Sequence, residues 1–220
     1  MGLEAYTASF WNDFARAPDT MSATIVYLHG FNSGPASAKA QQLGHEIAAL
    51  DPASRPAYIV PQLHHRPAKA MREVMALTDT ANNGAGKHRL TFVGSSLGGF
   101  YATYLAERYG AKAVLINPAI HPAKSLASYL GPQRNTATGE AYELTRDHFA
   151  ELEAFNVVRV TQPRRYFLLV QSGDELLDWR EAVTFYAGAW QSVQGGGDHA
   201  FQHFEKEIAP ILRFSRSANR

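Results

Sequence analysis

Leu90-Thr91-Phe92-Val93-Gly94-Ser95-Ser96-Leu97-Gly98-Gly99-Phe100-Tyr101-Ala102-Thr103-Tyr104-Leu105 joins a short apolar, β-rich run to a helical pattern through a glycine-flanked serine. Residues 94–98 fit G-x-S-x-G, and the motif gains its meaning from the strand before it and the helix after it. A serine on so sharp a turn leaves no room for side chains two residues before and two after, hence Gly94 and Gly98. The helix behind it aims its free N–H groups and positive dipole end at the serine. Ser95 lacks a glycine at both flanking positions, so Ser96 is the candidate nucleophile. A phosphate loop is excluded, because GSSLGG is not G-x-G-x-x-G and no Lys-Ser or Lys-Thr follows.

Working outward, strands are expected at Thr24–Leu28, Tyr58–Val60, Leu90–Val93, Ala113–Ile116, Tyr166–Val170 and, more weakly, Ala189–Val193. Runs such as TIVYL and FLLV are apolar at successive positions, as strands covered on both faces must be. Helical patterns at Ala36–Leu50, Ala68–Thr80, Leu97–Tyr109, Trp179–Tyr186 and Ala200–Phe214 are long enough for crossovers. The order implies an α/β fold with a mostly parallel central sheet and helices on both faces.

A serine hydroxyl is a weak nucleophile until a base removes its proton, and the base needs a third group to fix its tautomer. In this arrangement the order along the chain is Ser, acid, His. Asp174 follows the run YFLLVQSG, and His199 follows the last strand within Gly195-Gly196-Gly197-Asp198-His199. Glu175 and Asp178 are alternative acids, although Asp178 better suits a cap on the helix starting at Trp179. The first strand runs into His29-Gly30-Phe31, a usual site for an oxyanion donor when a serine nucleophile is set this way, so the backbone N–H groups of Phe31 and Leu97 are the expected oxyanion hole. Losing one such donor costs about 2.7–4 kcal/mol of transition-state stabilisation. His29 is read as shaping its loop through a hydrogen bond. His203 forms an H-x-x-x-H pair with His199, but without H-E-x-x-H or a third ligand no metal is expected, and His64-His65 reads as surface.

Composition narrows the classes further. The chain has 220 residues, 45% hydrophobic and 19% charged, with a formal net charge of +1. That suits one domain with a sizeable core and supplies no basic face for nucleic acid. The absence of cysteine removes disulfides and thiolate chemistry. No signal peptide or membrane span is expected, so a cytoplasmic protein is. Residues 1–21 read as an N-terminal extension of uncertain role, and 22–220 as the catalytic domain. Residues 121–162 break the βα rhythm with GPQRNTATGE and a helical segment near Thr145–Phe155. They read as a small cap insertion, an ordinary excursion with one extra helix being the alternative.

The series YLHGFNSGPASAKA, VGSSLGGFYATYLAE, VLINPAI, TGEAYELTRDH, LLVQSGDELLD and GGGDHAFQHFE resembles the YqiA-like esterases, small proteins of the α/β-hydrolase fold. The resemblance runs from about Ile25 to the C-terminal helix. It implies a carboxylic ester hydrolase acting on a small-molecule acyl ester without a cofactor, with the triad on Ser96, Asp174 and His199. Asn117, Pro118, Arg146, Asp147 and His148 match family-like positions that would line or brace the site. Thioesterase, lactonase or amidase chemistry on the same triad is the near alternative, and a non-catalytic binding protein of this fold the distant one.

Overall fold

The computed structural model describes residues 23–82 and 89–217. The extension expected over 1–21 lies outside the described residues. Six strands form one sheet in the order β2-β1-β3-β4-β7-β8, every neighbouring pair parallel. They are β1 (Ala23–Leu28), β2 (Ala57–Ile59), β3 (Arg89–Ser95), β4 (Lys112–Ile116), β7 (Tyr166–Gln171) and β8 (Trp190–Gln194). Crossovers are made by α1 (Ala38–Ala48), α2 (Pro67–Asn82), α3 (Leu97–Tyr109) and α6 (Trp179–Phe185), and α7 (Glu205–Arg216) follows β8.

The unbroken apolar runs of the strands are explained by two cores. Val26, Leu28, Phe92, Leu115, Leu168 and Val170 face α2, α3 and α6 through Met71, Val74, Leu105 and Ala182. Ile25, Tyr27, Val93, Ile116, Phe167 and Leu169 face α1 and α7 through Leu43, Ile47, Ile208 and Ile211. Successive strand residues point to opposite faces, so each strand must be apolar at every position to satisfy both. At the amino end of β4, buried Lys112 donates from Nζ to Phe214 O at 2.7 Å, to Ser217 Oγ at 2.6 Å and to Ser217 O. The carbonyl end of α7 supplies the partial negative charge that such a cation requires.

Two local expectations are corrected. The terminal helix begins at Glu205 rather than Ala200, because Phe201 and His203 adopt φ of 63° and 59°, which no α-helix contains. The polar stretch at 131–144, where no strand was expected, forms a hairpin: β5 (Gly131–Arg134) pairs antiparallel with β6 (Ala141–Leu144). Its turn is made by Asn135, whose Oδ1 accepts from Ala137 N and Thr138 N, and by Gly139 at φ 75°. Short α4 (Pro122–Ser125) precedes the hairpin and α5 (Arg146–Glu153) follows it. Thr145 and His148 close a capping box at the start of α5, which fixes where that helix begins.

Candidate active site

Ser96 sits between β3 and α3 with φ 56° and ψ −121°, a strained conformation for any residue with a side chain. The turn is held by Ser96 N donating to Ile116 O at 3.0 Å and by Ala119 N donating to Ser96 O at 3.1 Å. Packing around it leaves no choice of neighbours. A Cβ built on Gly94 falls 2.2 Å from Gly98 O, and one on Gly98 falls 2.0 Å from Leu28 O. Both glycines are therefore demanded by the backbone crossing behind the serine.

His199 Nε2 lies 3.0 Å from Ser96 Oγ, and His199 Nδ1 lies 2.9 Å from Asp174 Oδ2 and 3.0 Å from Asp174 Oδ1. The Asp174 side chain is 1% exposed, and its Oδ1 also accepts from Leu176 N and Leu177 N at 2.9 Å. The two other nearby carboxylates are engaged differently. Asp178 caps α6 by accepting from Arg180 N at 3.0 Å, and Glu175 accepts from the backbone N of His199 at 2.9 Å. Of the three, Asp174 alone meets the imidazole.

The loop carrying His199 is tied to the ends of the sheet by two side chains: Asn117, which the resemblance placed among residues that line or brace the site, and Gln171, which the sequence did not single out. Asn117, at φ 40° just past β4, donates from Nδ2 to Asp198 O at 2.9 Å and His199 O at 3.2 Å, and accepts from Gln171 N. Gln171, the last residue of β7, accepts from Asp198 N and Gln202 N on Oε1 and donates from Nε2 to Gln202 O. For Gln171 the only signal in the sequence was a polar residue closing an apolar strand run.

Phe31, in the loop after β1, and Leu97, at the start of α3, flank Ser96, and a Cβ built on Gly30 would stand 3.4 Å from Ser96 Cβ. Leu97 is the first residue of α3, so its N–H has no partner inside the helix. His29 is buried; its Nε2 accepts from Leu63 N at 3.1 Å and its Nδ1 lies 3.0 Å from Gly30 O. These bonds fix the loop and leave neither ring nitrogen for Ser96. Burial holds its pKa below the usual histidine value, keeping the ring neutral.

Residues 24–216 match the family model described as "Uncharacterised protein family (UPF0227)". The chain belongs to the UPF0227 family. This is the YqiA-like family that the sequence resembles. The UPF0227 protein YE1706 of Yersinia enterocolitica is 23% identical over 194 residues, covering 86% of this chain and 97% of that one. Among solved structures, Est1E of Butyrivibrio proteoclasticus with ferulic acid bound superposes with a TM-score of 0.66 at 15% identity, covering 89% of this chain and 88% of that one. Alpha/beta hydrolase domain-containing protein 10 from mouse gives 0.65 at 16%, covering 88% and 89%. The fold of this UPF0227 member is thus that of the α/β-hydrolases.

In this UPF0227 chain a cavity of about 610 Å³ opens over Ser96 and His199, a size that suits a small organic ligand. Phe31, Leu126, Tyr129 and Leu176 supply apolar wall, whereas Lys39 and Tyr27 line its other side. Lys39 donates to Ala200 O at 2.6 Å, and burial lowers its pKa. Among the described residues, no helix is long and apolar enough to cross a membrane.

His64 and His65 are half-buried rather than on the open surface, since His65 stacks on Tyr142 at 4.3 Å between ring centroids. With Glu140 they place three ligand atoms within 4.8 Å of one another. The Nδ1 atom of each histidine is already hydrogen-bonded, however. His64 Nδ1 accepts from Arg66 N, and Thr145 N donates to His148 Nδ1, leaving His148 Nε2–H to donate to His65 Nδ1 at 3.1 Å. In these tautomers the Nε2 atoms of His64 and His65 carry protons, which is the wrong state for a metal ligand.

Proposed function

We propose that this protein is a serine hydrolase that cleaves carboxylic esters of small acyl groups through an acyl-enzyme on Ser96. The observation that carries the reading is the continuous series Ser96 Oγ, His199 Nε2, His199 Nδ1, Asp174, with contacts of 3.0 and 2.9 Å. Ser96 Oγ attacks the ester carbonyl while His199 Nε2 takes its proton. Asp174 holds the imidazole in the tautomer with a free Nε2 and stabilises the imidazolium that forms. Negative charge gathers on the carbonyl oxygen, where the N–H groups of Phe31 and Leu97 receive it. Collapse returns the proton to the departing alkoxide and leaves the acyl group on Ser96. Water, deprotonated by His199, then attacks the acyl-serine and regenerates the enzyme. Every proton is carried by a side chain already hydrogen-bonded along this series.

The test is covalent labelling together with turnover. A fluorophosphonate probe is expected to label Ser96 stoichiometrically, and the chain is expected to hydrolyse p-nitrophenyl acetate. Ser96→Ala should abolish labelling and lower kcat by about 10⁶-fold, as removing the nucleophile does in serine hydrolases generally. Turnover unchanged in Ser96→Ala overturns the reading.

A further inference from the structure

Asn32 follows Phe31 directly and adopts φ 52°, a left-handed conformation that Asn tolerates better than most residues. All its polar side-chain and carbonyl contacts described here lead to one place, the β5–β6 hairpin. Its Nδ2 donates to Gln133 Oε1 at 3.1 Å, and its Oδ1 accepts from Tyr142 Oη at 2.8 Å. Its carbonyl accepts from Thr136 N at 3.0 Å and from Thr136 Oγ1 at 2.6 Å. The residues after it continue the seam. Asn135 Nδ2 donates to Ser33 O at 3.2 Å, and a Cβ built on Gly34 would fall 2.5 Å from Ala137 Cβ.

From this seam we infer that Asn32 is a positioning residue through which the β5–β6 hairpin holds the Phe31 N–H toward Ser96. The inference rests on the hydrolase reading of Ser96. It gives the insertion at 121–162 a purpose other than covering the cavity: the hairpin braces one wall of the oxyanion site. The chemistry explains why a brace belongs there. A donor stabilises the developing oxyanion only if it is already aimed when charge appears, and a loop free to move loses that advantage. Phe31 lies in a loop between β1 and α1, where no sheet hydrogen bond fixes it. Asn32 supplies both constraints at once, a backbone set by its left-handed φ and a side chain clamped from two directions.

The brace acts on the transition state, so its loss should lower kcat and spare KM. Asn32→Gly keeps the backbone conformation and removes the clamp; kcat on p-nitrophenyl acetate is expected to fall roughly 10- to 100-fold, with KM within about two-fold. Tyr142→Phe removes one of the two clamping bonds and should lower kcat by several-fold. The double variant should lose less than the product of the single losses, because both act through one contact. Asn32→Asp retains the acceptor for Tyr142 and is expected to recover part of the kcat lost in Asn32→Gly.

An independent readout needs no turnover. Hydrogen exchange at the amides of residues 31–33 should quicken roughly ten-fold in Asn32→Gly while the sheet amides stay protected. Quickened exchange with a selective loss of kcat supports the brace. Unchanged exchange overturns it, as does kcat within about two-fold of an active wild type. A wild-type chain that neither hydrolyses esters nor takes the fluorophosphonate fails the hydrolase reading instead, and exchange alone then decides whether the hairpin holds the loop.

Discussion

The loops carrying Phe31 and His199 reach Ser96 from opposite sides of β3, and they are held by different parts of the chain. The His199 loop is tied to the sheet, through Asn117 at the end of β4 and Gln171 at the end of β7. The Phe31 loop is tied mainly to the β5–β6 hairpin, through Asn32, Thr136 and Asn135. That hairpin is anchored in turn by His65 stacking on Tyr142. Beside it, α5 is joined to the segment leading into α2 by the Arg66–Glu151 ion pair. On the hydrolase reading, proton transfer would depend on a loop held by the buried side chains of Asn117 and Gln171, whereas charge stabilisation would depend on contacts to half-buried Asn32. Perturbations of the insertion should reach the second function and leave the first intact.

The sharpest break of this contrast comes from the acid. Asp174→Asn should lower kcat about 10⁴-fold by reversing the hydrogen bond that sets the His199 tautomer. Asp178→Asn, four residues away, should leave kcat unchanged; an equal loss at both positions would contradict the assignment of the acid. Next in size, Asn117→Gly should destabilise the fold by about 1–3 kcal/mol, because the buried Gln171 N–H loses its acceptor. Chemical denaturation would measure this, with kcat falling alongside as the His199 loop loosens. Asn32→Gly, by contrast, should cost activity with little change in denaturation midpoint.

Acid should weaken the Phe31 side selectively. Burial lowers the pKa of His29; burial, then the neighbouring His64, lowers that of His65; burial, then Arg66, lowers that of His148. Glu140 beside His65 and Glu151 beside His148 oppose the shift without reversing it. The folded chain thus takes up these protons less readily than the unfolded chain does. Stability from this source is complete above the ordinary histidine value of 6.5 and is lost as pH falls below it, through the depressed folded values. Tm should drop between pH 7.5 and 5.5, and His148→Gln should flatten that dependence. The smallest effect belongs to the α6 cap, where Asp178→Ala should cost about 1 kcal/mol by thermal denaturation.

The sequence disclosed those features that a local rule enforces. β1, β3, β4 and β7 were legible because burial on both faces demands uninterrupted apolar residues. Ser96 was legible because its backbone tolerates nothing but glycine at 94 and 98. What stayed hidden is non-local. The β5–β6 strands carry Gly131, Pro132, Gln133 and Arg134, which no strand propensity favours, and they pair because the hairpin is clamped to the Phe31 loop. Asn32 and Gln171 draw their significance from partners 23 to 110 positions away, which no motif encodes, and the resemblance that pointed to Asn117 did not say what it ties. The start of α7 was misplaced because the left-handed turns at Phe201 and His203 arise from the loop's closure onto Gln171 rather than from their residue types.

Buried Lys112 has a consequence for the order of events during synthesis. Its partners at Phe214 and Ser217 lie 102 and 105 positions further along the chain. While β4 leaves the ribosome, these acceptors have not yet been made, and burying the ammonium without them is costly. The amino end of β4 is then expected to stay in water until α7 arrives and to pack only after residue 217 has left the ribosome. A ribosome stalled before that point should hold a chain whose Lys112 is still open to acetylating reagents, and release should protect it.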